Sequence, residues 1–494
     1  MDRDPESPLV VEYPGGEEVP AVAWPMLLRD RLGRHVRQSD RYRWWVLWTA
    51  LAGLFATGFT ITILAVSLGD VARDLGASET ALTWTVTGPF LALALSMPLF
   101  GKIGDVRGHR RVYLIGLAGF TVATFLTALA WDGASLIAIR SLGAIPGAAT
   151  GPASMALIMR AFPEEDRVKA MGWWSLVGAG APVLGLVAGG PLVDAIGWRA
   201  IFLVQAPLAL IALLVAIPIL HETPRMEREP IDYRGALTLA VATLAALLGL
   251  SVGSQVGWAH PVVLVLFALA PLAVAAFVAI ERRAEHPLLP LRFFAQRNFT
   301  ASLVAQFLSN FGYMGGFIIT PLLMEDVFGF TVAATSLAMV CRPLSFSLSS
   351  PVAGYVAVRV GERSASVFGC ILVAVSLACF AVGAASESLG LVFAALVLSG
   401  LGLGTSQPSL ISSAANAVET ESLGVANAAQ VMVTQIGVVA GIQVLSTIQG
   451  GASSTGSFTV AYIAGGVVAV LGVVGATFVR SAERPLRLRV AEAA

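Results

Sequence analysis

Charge is scarce in this chain. Asp, Glu, Lys and Arg make up 13% of the 494 residues, about half the ~25% usual for soluble domains. With 56% apolar residues and a mean hydropathy of +0.79, a soluble enzyme is excluded. Lysine is nearly absent, occurring at Lys102 and Lys169, so basic charge is carried by Arg. The 31 basic and 31 acidic residues cancel and form no large basic patch, which argues against a nucleic-acid partner. The three cysteines, Cys341, Cys370 and Cys379, lie in apolar stretches without CxxC or Cys/His spacing, so they read as small apolar fillers. His35, His109, His221, His260 and His286 all fall in tails, loops or segment edges. No metal site, no catalytic site and no cofactor is therefore expected. The N-terminus lacks the basic start and short apolar core of a cleavable signal. It opens acidic (Asp2, Asp4, Glu6, Glu12, Glu17, Glu18), turns basic from Arg29 to Arg43, and meets an aromatic anchor at Trp44-Trp45. This reads as a cytoplasmic tail with room for an amphipathic surface helix.

Long apolar runs are what the chain has in abundance. At roughly 20 residues per span, its apolar stock covers a dozen or more membrane helices. Runs nearly free of charge lie near 44–67, 80–100, 112–131, 134–159, 170–193 and 198–220, then 235–255 and 261–280, then 300–323, 332–358, 365–385, 389–413, 423–448 and 457–479. The expected fold is an all-α integral membrane protein of 14 transmembrane helices, in two six-helix pseudo-symmetric bundles plus two linker helices. The corresponding organisation is a cytoplasmic tail 1–43, a bundle 44–220, a linker 221–298 carrying the two extra spans, a second bundle 299–480, and a cytoplasmic tail 481–494. Basic residues fix the orientation, because Lys and Arg beside spans stay in the cytoplasm. With both termini inside, the inner loops hold Lys102, Arg107, Arg110, Arg111, Arg160, Arg167, Lys169, Arg282, Arg283, Arg292, Arg297, Arg359 and Arg363, whereas the outer loops hold only Arg73 and Arg199.

One loop carries a specific pattern: Gly101-Lys102-Ile103-Gly104-Asp105-Val106-Arg107-Gly108-His109-Arg110-Arg111. Glycines permit the tight reversal and close helix approach needed there. The acidic side chain can pair with charges or with a helix terminus on a neighbour, in only one conformation of a moving bundle. The string resembles the loop signature of the major facilitator superfamily, and the six-two-six layout is similar to its fourteen-helix drug:proton antiporter branch. Further signatures follow in order: Trp84; Arg140 with Pro152-Ala153-Ser154; Gly185 and Gly189-Gly190, read as helix-packing positions; and Trp198-Arg199, Phe202 and Pro207. Gly354, Arg359, Gly361 and Arg363 echo the loop signature in the second half, as an internal repeat should. The chain also departs from the family. Thr60 stands where many members carry an embedded Asp, with Thr62 retained; Gly143 replaces a Gln and Leu186 a Pro.

Two charges fall inside expected spans, Arg140 and Arg342; each costs about 2.5 to 3.5 kcal/mol at mid-helix, so each should face the interior. For each, a functional role competes with structural pairing to backbone carbonyls. Gln306 and Asn310, four apart on one helix face, together with Phe311, Asn427, Gln430, Thr60 and Thr62, are candidate cavity residues; the competing reading is interhelical hydrogen bonding. No carboxylate lies deep in a span. Coupling candidates are therefore Arg140, Arg342 and the rim acids Asp70, Glu325 and Asp326, the last two favoured because adjacent carboxylates repel each other's charge. What the resemblance implies is a secondary active transporter that exports amphipathic or hydrophobic small molecules, drugs or metabolites, by alternating access and with protons as coupling ion. The expected setting is a monomer in the bilayer of a bacterial inner membrane, where abundant Arg, Ala, Gly and Val suggest a GC-rich genome. Open alternatives are a lipid or self-made metabolite exporter, a facilitator without proton coupling, an intramembrane enzyme and a non-transport scaffold.

Overall fold

The computed structural model describes residues 10–12, 18–20, 41–59, 68–77, 82, 84–223, 232–450 and 454–481. Helix dominates them. Within the tail, β1 (Val10–Glu12) and β2 (Glu18–Pro20) pair antiparallel, a small departure from all-α character. The helices are α1 (Tyr42–Gly58), α2 (Leu68–Leu75), α3 (Trp84–Arg107), α4 (His109–Ala128), α5 (Gly133–Ala148), α6 (Thr150–Ala161) and α7 (Arg167–Ile219), then α8 (Tyr233–Val256) and α9 (Pro261–Glu281). They continue with α10 (Arg297–Asp326), α11 (Val332–Met339), α12 (Cys341–Val360), α13 (Glu362–Ala385), α14 (Leu389–Ala415), α15 (Leu423–Gln449) and α16 (Thr455–Thr477). Local chemistry sets their ends. Asp132 accepts from the Ser135 amide at 2.7 Å, closing a capping box at the start of α5. Asp232 caps α8 by accepting from the Gly235 amide at 2.9 Å, without a reciprocal side-chain bond. Gly197, at φ 77°, breaks α7 into two arms, because a left-handed residue cannot continue a right-handed helix.

Ten helical stretches among the described residues are long and apolar enough to cross a membrane. The other four expected spans fall on α1, α3, the first arm of α7 and the α11–α12 pair. α1 has 17 helical residues before the segment 60–67, which lies outside the described residues. α12 dilutes its apolar content with Arg342, Ser345, Ser347, Ser349 and Ser350.

α1 and α3 to α7 pack among themselves, as do α10 to α16. Tyr113 of α4 is fully buried in the first set and donates to the Ala50 carbonyl of α1 at 3.2 Å. Phe380 and Tyr462 stack at 4.9 Å in the second set. The two sets meet along α3–α15 and along α7 with α12 and α14. The α8–α9 hairpin lies over the α3–α15 seam through α8, whose Leu239 packs with Phe277, Leu289, Val425 and Ala429. α9 is peripheral, only 17% buried, with Val262, Leu264, Val265, Leu272 and Val274 exposed. In water such a surface would aggregate; in hydrocarbon it is solvated.

Contacts between loops define two ends of the bundle. At one, Trp198 Nε1 donates to Asp74 at 3.0 Å and Arg199 bonds the same carboxylate. The Arg199 hydrogen bond, followed by that of Trp198, holds the Asp74 carboxyl below its ordinary range. The Trp198-Arg199 signature thus has a structural role, tying α2 to the second arm of α7. The loop signature lies at the other end.

Candidate functional site

Asp105, in the last turn of α3, is fully buried. Its Oδ1 accepts from the Gly424 amide at 3.0 Å and its Oδ2 from the Val425 amide at 2.9 Å. These amides lie in the first turn of α15, which belongs to the other set, so a carboxylate from one half caps a helix of the other with the dipole in its favour. The approach requires glycine on both sides. A Cβ at Gly101 would lie 2.6 Å from the Gly424 carbonyl oxygen and 2.8 Å from Ala428 Cβ, and one at Gly424 would run into the His109 ring. Gly108 makes the reversal at φ 99°, with no room for a Cβ beside the Glu222 carboxylate. Arg110 donates to the Leu220 and Ile217 carbonyls at 2.7 and 2.8 Å, closing the end of α7, and Arg111 lies 3.8 Å from Glu222. Arg107 is exposed and Gly104 backs the His109 ring.

Three groups that the sequence reading did not single out complete this contact. His109 is fully buried and its Nε2 lies 2.9 Å from Asp105 Oδ1. Arg160 stands 3.8 Å from the same oxygen and donates across the seam to the Glu421 carbonyl at 3.2 Å. Arg167 donates across it to Asn416 Oδ1 at 2.8 Å, and Asn416 and Ser412 in turn donate to the buried Glu362, at 3.4 and 2.6 Å. The spacing of His109 four residues after Asp105 across a helix break was the available signal; the other partners come from distant parts of the chain. At the echo in the second half, Gly354 sits against the Val168 carbonyl, where a Cβ would lie 2.7 Å from the oxygen. Val358 stands one turn on, in the place corresponding to Asp105, so the second half has no carboxylate at that position.

Away from this sealed end, two cavities follow the seam. The first, about 270 Å³, lies in the first set and includes Leu93, Met97, Phe120, Arg140, Phe202 and Gln205 in its wall. Arg140 Nε donates to the Thr85 carbonyl at 2.9 Å, and the guanidinium stands 5.4 Å from the Phe202 ring centre. The second, about 260 Å³, is bounded by Gln306, Asn310, Gln407, Gln430, Thr434 and Gln435 among others. Trp174, Gly178 and Val431 belong to both walls. Gln306 Nε2 donates to Gln430 Oε1 at 3.2 Å, and Thr434 donates to Gln306 Oε1 at 3.2 Å.

The remaining sequence candidates scatter. Asn427 lies behind Gln430, accepting its Nε2 at 3.3 Å, and Phe311 packs against Gly441 of α15; neither reaches a cavity wall. Arg342 is fully buried in the second set, bonded to the Tyr313 carbonyl and stacked 3.8 Å from the Tyr313 ring centre, again off the cavity walls. Glu325 and Asp326 end α10, half-buried and exposed, and line neither cavity. Gly185 is buried within α7; Gly189 and Gly190 continue that helix, their surroundings outside what the structure describes. Thr60 and Thr62 lie outside the described residues, as does the side chain of Asp70, whose backbone belongs to α2.

Two helical sets meeting around cavities, with an apolar outer surface and a charged contact closing one end, define a multi-pass membrane transporter of small molecules rather than an enzyme. The chain belongs to the Major Facilitator Superfamily, whose profile matches residues 50–442 and 302–494. It is 31% identical over 407 residues to the tetracenomycin C resistance and export protein of Streptomyces glaucescens, covering 82% of this chain and 76% of that one. It is 31% identical over 422 residues to the puromycin resistance protein pur8 of Streptomyces alboniger, covering 84% and 83%, and 28% identical over 397 residues to the multidrug resistance protein Stp of Mycobacterium tuberculosis, covering 80% and 74%. The crystal structure of the human organic anion transporter MFSD10 shares the fold at a TM-score of 0.62 and 18% identity, covering 89% of this chain and all of that one.

Proposed function

We propose that this chain is a secondary active exporter of amphipathic or hydrophobic small molecules, drugs or self-made metabolites, working as a monomer in a bacterial inner membrane. In this reading the chain has fourteen spans, bundles at 44–220 and 299–480, a two-helix linker at 221–298 and cytoplasmic tails at 1–43 and 481–494. The sealed end is then cytoplasmic, and the two bundles rock about the seam to open the cavities to either side. Protons drive export through a rim carboxylate, Glu325 or Asp326, while Arg140 is the fixed charge beside the cargo. The resistance and export names of the relatives support the export reading.

The observation that carries the proposal is the capping of α15 by Asp105. Such a bond exists only while the halves touch at that end, so it weights one state of a two-state equilibrium by its differential energy. The test is transport in proteoliposomes under an imposed pH gradient, over a panel of drugs, with wild type and Asp105→Asn. Gradient-dependent movement in the wild type, strongly reduced in a variant that still inserts normally, is the expected result. A wild type that moves nothing, or a variant at full rate, defeats it.

A further inference from the structure

The two charged side chains deep within the expected spans, Arg140 and Arg342, are both cations, and we propose that this sign selects the cargo. The first cavity takes amphipathic organic anions, compounds joining a flat apolar body to an ionised carboxylate, sulfonate or phenolate, in preference to cations of equal bulk. The inference rests on the transporter reading above and adds its substrate class.

Among the described residues that line the first cavity, Arg140 is the only charged side chain. One guanidinium nitrogen, Nε, is taken by the Thr85 carbonyl; no acceptor among the described residues reaches the other two. Phe202 lies 5.4 Å from the guanidinium carbon, so the planar group is braced on one face while its terminal donors remain a fork of the shape that carboxylates and sulfonates match. The walls around it are apolar or neutral. The hydroxyls of Thr127 and Thr150 are neutral and donate to the Ala123 and Gly147 carbonyls, at 2.8 and 2.7 Å.

The second cavity does not balance the first. Its polar wall consists of amides and hydroxyls, with no charged side chain among the described residues. Behind it Arg342 adds a second interior cation, fully buried, with Nε and Nη1 lacking an acceptor among the described residues and with no carboxylate in reach. Water and salt screen such charges little in a protein interior. A cation entering meets repulsion without a carboxylate to offset it; an anion gains a charge-assisted, two-pronged bond from a group whose desolvation cost is already met by the fold.

The test uses 1-naphthalenesulfonate and (1-naphthylmethyl)trimethylammonium, probes with the same ring body and opposite charge, in equilibrium binding to the purified full-length protein. Sulfonate binding at least tenfold tighter, about 1.4 kcal/mol, is expected in the wild type. Arg140→Gln should bring the ratio near one by weakening sulfonate binding, and Thr127→Asp, which places a carboxylate on the same wall, should invert it. Equal affinities, tighter cation binding, binding of neither probe, or a preference that survives both substitutions overturns the inference. Energised export of the uncharged N-phenyl-1-naphthylamine by the same protein separates the two readings. If export persists while the charge preference is missing, only this inference fails; if nothing is exported, the transporter reading fails with it.

Discussion

Asp105 accepts from two backbone amides and an imidazole in a site that water does not reach. Asn in its place keeps the shape but loses the charge and turns an NH2 toward N–H donors. Hydrogen bonds to a charged group contribute about 1.5 to 3 kcal/mol each, so Asp105→Asn should shift the equilibrium toward opening at that end by roughly 10- to 100-fold and cut transport at least tenfold with near-normal expression. Steady-state transport against membrane level checks this; a normal rate would leave the loop as a mere tight turn. Much of the residue-scale chemistry was visible in the sequence. The Asp among basic residues pointed to charges or a helix terminus on a neighbour as partner, but which of these, and on which helix, was hidden, because 319 positions separate Asp105 from Gly424. Arg140 was marked by its cost in hydrocarbon; its partners Thr85 and Phe202 were not, since nothing local couples them.

At the scale of elements, the seam depends on backbones that touch. Gly424→Val forces α15 away from Gly101 and the His109 ring, because backbone and a packed imidazole cannot yield as a flexible side chain would. The expected outcome is an opened inner end, read as faster labelling of a cysteine substituted at Ala428 by a thiol reagent in inside-out vesicles; unchanged labelling would show that the contact is not a seal. The Gln306/Asn310 pair shows how far periodicity reaches. Four-residue spacing correctly put both on one face of α10, and both line the second cavity. On α15, Asn427 and Gln430 were both cavity candidates, yet only Gln430 lines that cavity. The rotation of a helix about its own axis relative to a distant partner is set by packing, not by its own sequence.

For the whole molecule, the proposed topology makes a sharp claim. Glu285 belongs to the inner linker, whereas Glu387 and Ser454 lie in turns at the opposite end of the bundle. In a background without Cys341, Cys370 and Cys379, an impermeant thiol reagent added to whole cells should label cysteines introduced at Glu387 and Ser454 and spare one at Glu285; the reverse pattern would invert the orientation. Coupling is also a property of the whole cycle. Neutralising the rim pair as Glu325→Gln with Asp326→Asn should abolish the response of transport to an imposed pH gradient while substrate binding stays measurable. A double variant with full pH response defeats the rim-carboxylate proposal, and a wild type without any response makes the chain a facilitator or one coupled to another ion.

Composition alone determined the solvent, a bilayer, and unbroken apolar runs of about 20 residues then leave helices rather than the short alternating strands of a barrel. Patterning located ten apolar helical segments and marked the loop signature as a tight, charged reversal, because both are local properties of a few consecutive residues. Only the tertiary structure decided that Asp105 caps α15, that His109, Arg160 and Arg167 join the same contact, and that Arg140 faces a cavity while Arg342 does not. Those outcomes depend on which faces of distant helices come together, and packing across the seam fixes them, by close backbone approach at Gly101 and Gly424.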